Sequence, residues 1–478
     1  MTTVRPPLPD GIVAVVKRDC PTCVLVEPVL QAMAGDGLQV YSQDDVTFPD
    51  LPGVGDDTDL AISYHWDIET VPTLLRIVDG RETERIVGWE RAAWESFTGM
   101  GGLGSDLPDW RPGCGSLSVD PMRADELRAR FSSSGLRSRR VDFAELEDEF
   151  EAMYDRGWSD GLPVIPPTEA RVARMLEETT RSADDVVTIV PPDLVECTVE
   201  KVAVNAVMAG CLPEYLPVVL TALEAACTSE FNMHGLLATT FFSGPIVVVN
   251  GPVRQRIGMN DGVNALGQGN RANATIGRAL QLVIRNVGGG KPGGVDRATM
   301  GSPGKLGWCF PEREEGSPLS PLSVARGIEP GVDAVTLFAG HGPQSIIDQK
   351  SRTAESLART FAACLRSVGH PKLCIKIDAM LVISPEHGRV LADDGWDRAR
   401  LEGRLAELLM LDSDELIAGA DGITEGLPEG FAGMELPKFR ESGLLLCHAG
   451  GGAGLFSAII GGWVNGEEGS DPVTREIA

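Results

Sequence analysis

Apolar residues along this chain fall into short unbroken runs and into longer stretches where they recur every three to four positions. That alternation is the pattern of buried strands and one-sided helices. The run Gly11-Ile12-Val13-Ala14-Val15-Val16 predicts a buried strand, and residues 24–33 predict a helix after it. Residues 74–78 and 84–87 predict a hairpin turned at Asp79-Gly80, and residues 91–97 a closing helix. Further strands are expected at 186–190, 245–249, 334–338, 373–383 and 444–448. Helices are expected at 142–158, 169–178, 199–209, 214–228, 272–287, 354–368 and 398–409. The repeated switch between the two patterns predicts an α/β fold.

Positions within these elements sharpen the picture. Phe143, Leu146, Phe150 and Tyr154 make an apolar stripe on the acidic helix 142–158. Thr168 is placed to cap the helix that follows it. In 199–209 the stripe Val199, Val202, Ala203, Ala206 and Val207 leaves Asn205 off the apolar face, and Cys227 lies on the core side of 214–228. In 272–287 Ile276, Leu280, Val283, Ile284 and Val287 form the core face, while Arg271, Arg278 and Arg285 share another. Residues 444–464 hold no Asp, Glu, Lys or Arg, yet His448 and the glycines of 449–454 predict a strand, a loop and a helix rather than a membrane span. Residues 99–115 are rich in Gly, Pro and Asp and read as a linker. The expected division is a domain at 1–99, a Gly/Pro-rich linker and basic segment at 100–140, and a large α/β domain at 141–478.

Composition changes this picture in a few respects. A chain of 478 residues suggests two to four domains. A formal net charge of −27 argues against nucleic acid or an anionic membrane as partner. Arg far outnumbers Lys, which suits a GC-rich bacterial genome. Eight of the ten cysteines are scattered singly, unlike the framework of a secreted disulfide scaffold. The N-terminal residues lack an apolar signal-peptide core, so a cytoplasmic location is expected. Oligomeric state stays open, with a homo-oligomer among the states allowed.

The one dense chemical motif is Asp19-Cys20-Pro21-Thr22-Cys23, at the junction of the first strand and helix. A C-x-x-C there is a redox dithiol. Cys20 falls at the helix N-terminus, where free N–H groups and the helix dipole favour thiolate. Cys23 lies one turn on, in reach of a mixed disulfide at Cys20. Cys20 is therefore the attacking thiol, Cys23 the resolving thiol, and their disulfide the redox cofactor. A half zinc site would need a second ligand pair, and no other C-x-x-C or H-x-x-H occurs.

Around this motif the first hundred or so residues resemble thioredoxin. Pro28 stands where thioredoxins kink their active-site helix, and Thr70-Val71-Pro72-Thr73-Leu74-Leu75 is similar to the segment whose cis proline faces the dithiol. The resemblance implies a thioredoxin fold for about a fifth of the chain, with Pro72 cis and part of the site. Two departures stand out: Asp19 replaces the tryptophan before the dithiol, and Ala14 replaces a buried proton-relaying aspartate. They imply a differently tuned reductant serving a dedicated internal client. The remainder resembles a bacterial family with DGLPVIPPT and NAVMAGC-type stretches, some of whose relatives are linked to proteins with a selenocysteine- or cysteine-Gly-Ser motif. The comparable piece is Cys114-Gly115-Ser116, with Leu117 where a second cysteine would stand.

In the large domain a Gly/Asn loop runs into the helix at 272–287. Asn250, Asn264, Asn270, Arg271 and Lys305 are the expected contacts of a small anionic substrate, since helix-terminal N–H groups and a guanidinium both receive anions. Turn-forming residues with solvated arginines would look the same. His341, His387 and His448 end strands, where α/β sheets bind ligands; His448 is the one retained as a substrate contact. Cys309, in an expected polar loop near Lys305, leads as client thiol; Cys211 and Cys197 follow, and Cys114 on the linker is a shuttle. The first reading is thus an enzyme: a thiol-dependent oxidoreductase, assisted by an external thiol reductant, whose dithiol feeds a Cys in the large domain. The alternatives are a metal-dependent lyase or hydrolase using Cys309, His234 and Glu312 or Glu315, and a non-catalytic scaffold with a thioredoxin-fold docking module.

Overall fold

The Val-rich run Gly11–Val16 forms β1, the middle strand of a five-stranded sheet, with Val13 to Val16 fully buried because both faces are covered. This computed structural model describes residues 5–35, 37–131, 136–139, 141, 143, 147–463 and 469–478. It is an α/β protein of two compact units, Met1–Leu136 and Arg137–Ala478.

In the first unit β1 leads into α1 (Pro21–Met33), β2 (Leu38–Ser42), β3 (Gly55–Asp56) and α2 (Ala61–His65). There follow β4 (Thr70–Val71), β5 (Thr73–Val78), β6 (Arg81–Val87), β7 (Trp89–Glu90) and α3 (Arg91–Thr98). The sheet order is β3-β2-β1-β5-β6, with β1, β2 and β3 parallel and β5 and β6 antiparallel. Asp79 and Gly80 both have positive φ, 52° and 69°, the conformation a two-residue hairpin turn requires. Ala14 is fully buried between Val40 and Leu74.

The stretch read as a linker is not one. Residues 99–118 belong to the first unit and return to it through β8 (Trp110–Arg111), paired with β7, and β9 (Cys114–Gly115), paired with β4. Trp89 Nε1 donates to Pro108 O at 2.6 Å, and Gln43 Nε2 to Ser116 Oγ at 2.6 Å. These bonds convert a glycine-rich segment into an ordered strap. A helix at Pro121–Phe131 follows, inside the 100–140 stretch expected to be linker and basic segment.

The second unit begins with helices Glu149–Asp155 and Glu169–Leu176, the latter capped by Thr168. The first is shorter than expected, with Phe150 and Tyr154 exposed, so the apolar stripe covers no core; Leu146 lies outside the described residues. Hairpin β10 (Val186–Val190) and β11 (Val195–Thr198) precedes helix Val199–Ala209. Asn205 is buried there, because Asn286 Nδ2 reaches its side-chain oxygen at 2.9 Å. Cys227 ends the helix Leu216–Ala226 half-buried rather than in a core.

The main sheet is built from β12 (Gly244–Asn250), β13 (Trp308–Pro311), β14 (Ala334–Ile347) and β15 (Ala379–Ile383). A small pair, β16 (Met410–Asp412) and β17 (Glu435–Pro437), stands apart; β18 (Leu444–His448), β19 (Phe456–Gly462) and β20 (Val473–Glu476) complete it. The order is β13-β12-β14-β19-β15-β18, with β20 also on β14. Parallel pairs β12/β13 and β15/β18 are joined through antiparallel β14 and β19. Two expectations fail here. The strand at 373–383 begins only at Ala379, after Ile375 with a φ of 69°. The segment after the 449–454 loop is strand β19, not a helix, because it fits between β14 and β15 with Ile459 and Ile460 buried.

A three-thiol candidate active site

Pro21 begins α1 and Cys20 is its N-cap, with extended backbone at φ −142° and ψ 110°. Cys20 Sγ accepts the backbone N–H of Cys23 at 3.2 Å, the contact a cap side chain makes with an orphan donor. The same sulfur lies 3.6 Å from the carbonyl oxygen of Val71, to which a protonated thiol donates. Val71 precedes Pro72 through a cis peptide bond. Antiparallel pairing of Val71 with Cys114 then sets a third thiol beside the dithiol.

The electrostatics follow from this crowding. The Cys23 S–H stabilises the Cys20 thiolate most, the Cys114 S–H and the N–H groups of Cys23 and Thr22 add to it, and together they outweigh burial. The Cys20 thiol is lowered from 9.0 to about 5. Burial pushes the Cys23 thiol well up, and the neighbouring Cys20 thiolate pushes it further. Cys114 is raised for the same two reasons, burial first. The site thus separates one acidic thiol from two that keep their protons and donate them. Thr22 Oγ1 donates to Pro112 O at 2.7 Å and Lys17 Nζ to Gly115 O at 2.9 Å, which fasten the strap over the site. Cys20 is 1% exposed beneath it, and all cysteines are free thiols.

The client thiols expected in the large domain sit elsewhere than the sequence suggested. Cys309 is in no polar loop: it lies inside β13, opposite Val247 of β12, and its burial pushes the thiol up. Cys211 is buried, donates to Thr275 O at 3.5 Å, and is pushed up to about 12 by burial. Cys197 is buried in β11 and likewise pushed up to about 12. None of the three has the environment of a reactive thiolate.

Several expected substrate contacts serve the fold. Asn250 Nδ2 is held by Glu312 at 2.7 Å and Glu314 at 3.0 Å. Asn270 caps helix Arg271–Asn286 and donates to Gly258 O at 2.8 Å. Lys305 pairs with Asp296 at 2.7 Å. Arg278 clasps Asp160 with two bonds of 2.8 Å, so the arginines of that face are not equivalent. Arg271 does line a cavity of about 180 Å³ with Arg171, Arg174 and Cys211, while Asn264 lines another, of about 530 Å³. His448 is buried, with Nδ1 3.0 Å from Arg313 O, and burial lowers its pKa. His341 contacts its neighbour Gly342 O at 3.1 Å and His387 contacts Ser457 Oγ at 2.7 Å, so the three histidines are not one set.

The metal-site alternative finds no geometry: Glu312 is taken by Asn250 and the Leu322 N–H, and Glu315 by Arg254. Among the described residues no three of His, Cys, Asp or Glu gather as metal ligands. No described helix is long and apolar enough to cross a membrane. The residue that sequence reasoning undervalued is Cys114; its signal was the pair of glycines, Gly113 and Gly115, since at Gly113 a Cβ would lie 2.3 Å from the Thr70 side chain. Comparison with protein-family models, with curated proteins and with solved structures found no match for this chain.

Proposed function

We propose that the first unit is a thiol–disulfide oxidoreductase, similar to thioredoxins, in which Cys20 attacks and Cys23 and Cys114 are alternative resolving thiols. The Cys20 thiolate attacks one sulfur of a client disulfide, whose other sulfur leaves as thiolate and takes up a proton. Cys23 or Cys114 then loses its proton and attacks Cys20, which breaks the mixed disulfide and frees the second client thiol. Two electrons pass to the client, one intramolecular disulfide forms, and an external thiol reductant restores the dithiol. The observation that carries this reading is the acidic Cys20 sulfur at a helix N-cap, flanked by two proton-bearing thiols. Cys309 and Cys211 are left out of the scheme, since both are buried and neither is held as thiolate.

The test is a Cys23→Ser variant treated with a mild oxidant, digested without reduction and mapped by mass spectrometry. A Cys20–Cys114 peptide is expected, and Cys23→Ser with Cys114→Ser should instead hold an adduct to added small thiol. If Cys23→Ser alone gives only small-thiol adducts, Cys114 is no resolving thiol and the scheme fails.

A further inference from the structure

A third cavity of the second unit, of about 320 Å³, lies against the helix Arg271–Asn286. Arg278, Gln281 and Arg285 stand at i, i+3 and i+7 of that helix, so they share one face, away from the buried Ile276, Leu280, Val283 and Ile284. Arg278 turns to Asp160, while Gln281 and Arg285 line the cavity. The facing wall is the glycine-rich chain between residues 290 and 306. It is held in place: the Arg297 N–H donates to Leu237 O at 3.0 Å and the Thr299 N–H to Thr240 O at 2.9 Å. A Cβ added at Gly244 would lie 3.1 Å from Lys305 Cγ and 3.4 Å from Gln281 Nε2, so the Gln281 amide and the Lys305 stem are neighbours across that boundary.

The charges of the lining are Asp160, Arg285, Asp296 and Lys305. Asp296 is taken by Lys305 at 2.7 Å and Asp160 by Arg278 through two bonds of 2.8 Å, with all four side chains 10–15% exposed. That leaves Arg285 as the one uncompensated charge among the lining residues. Its guanidinium is half-buried, pairs with no acid and bonds no acceptor among the described residues, and its Nε is shielded from solvent. In a chain with 69 acidic against 42 basic residues, a half-buried arginine without an acid is out of keeping. Gln281 Nε2 and Ser302 Oγ, both in the lining and both shielded, also meet no partner. Buried polar atoms are nearly always hydrogen-bonded, so three orphans gathered on one cavity point to a ligand that accepts from them.

We propose that this cavity binds the carboxylate of a small organic acid, with Arg285 as its cation and Gln281 and Ser302 as further hydrogen-bond donors. The fork of a guanidinium matches the two oxygens of a carboxylate. Because both acids of the wall are already neutralised, the free charge is a single positive one, which a monoanion cancels and a phosphate dianion exceeds. Pro292, Ala298 and Leu306 in the lining supply apolar surface for a short carbon skeleton, and the volume lies at the lower end of small-molecule sites. The site uses none of the thiols and stands apart from the dithiol scheme.

The test uses the full-length protein and saturation-transfer NMR with acetate, butyrate and benzoate as probes, butyramide and benzamide as their uncharged counterparts, and inorganic phosphate followed by its phosphorus linewidth. At least one of the carboxylates is expected to bind with a Kd of about 1 mM or tighter, and its amide not to. Arg285→Gln should weaken that binding at least about 10-fold, the lower worth of a hydrogen bond to a charged group, and Arg285→Lys should weaken it less. Gln281→Leu should weaken it by a smaller factor than Arg285→Gln. Because the guanidinium has no protein partner to lose, Arg285→Gln should keep the urea midpoint of the unliganded wild type; a clearly lower midpoint would make Arg285 a structural residue and overturn the proposal. Binding of none of the three carboxylates, equal binding of a carboxylate and its amide, undiminished binding by Arg285→Gln, or binding of inorganic phosphate alone overturns it as well.

Discussion

Replacing Cys114 by alanine removes one of the two thiol donors that face the Cys20 sulfur, and the ionisation of Cys20 should report the loss. A hydrogen bond to a charged group is worth about 1.5–3 kcal/mol, and a thiol is a weak donor, so the lower end applies. At about 1.4 kcal/mol per pKa unit, the Cys20 midpoint should rise from about 5 to about 6. Cys114→Ser keeps a donor in place and should leave the midpoint within a few tenths of the original. Cys23→Ala removes the larger contribution and should move it further than Cys114→Ala does. The assay is a pH titration of thiolate ultraviolet absorbance, each variant measured against the same variant carrying Cys20→Ser, so that the remaining cysteines cancel. The stability of the reduced protein has a definite sign. A thiol lowered on folding contributes stability that is fully present above its unfolded value of 9.0 and is lost as pH falls through about 5. The cost of Cys114→Ala should therefore appear near neutral pH and vanish below about pH 5. Equal midpoints for the alanine and serine variants would refute the idea that Cys114 donates to Cys20.

Other expectations concern the framework. The fragment Arg137–Ala478 should express alone and melt cooperatively, while a first unit cut at Gly99 should melt at least about 5 °C below Met1–Leu136, because Trp89 loses Pro108 and the dithiol its strap. Equal melting points would show the strap to be dispensable. Lys438 is fully buried, with Nζ donating to the carbonyls of Val368, His370 and Leu373 at 2.8–3.0 Å; Lys438→Met should cost about 3 kcal/mol in urea unfolding by leaving those acceptors unpaired.

What the chain discloses about itself divides by sequence distance. The Gly11–Val16 strand, the helix behind it and the hairpin at Asp79-Gly80 are set by neighbouring residues, through apolar patterning and turn chemistry, and they are readable. The strap is not, because a segment of Gly, Pro and Asp looks the same whether free or paired. Its partner, Thr70–Val71, lies more than forty residues away. Cys309 misleads for a related reason: four residues of β13 are too few to show a period, and only the register against Ile246 to Val249 buries them. Asn250 and Asn270 have the composition of a ligand loop, yet each is consumed by a specific partner, one by the buried Glu312 carboxylate and one by a helix end.

The pairing of Val71 with Cys114 has a kinetic consequence. A thiol tethered on a short strap holds an effective concentration in the millimolar range at its target. A client arriving at micromolar concentration cannot outcompete it by mass action. With Cys20 1% exposed, the proposed exchange would pass through a state with the strap lifted. Lifting breaks the bonds from Thr22 to Pro112, from Lys17 to Gly115 and from Ser116 to Glu69. At about 1 kcal/mol each, these three bonds alone hold the lifted form to roughly one per cent, and the β4/β9 pairing and the Gln43–Ser116 bond lower it further. In the proposed scheme apparent client affinity is multiplied by that fraction, so occupancy of the lifted form limits the pace at which foreign disulfides are met.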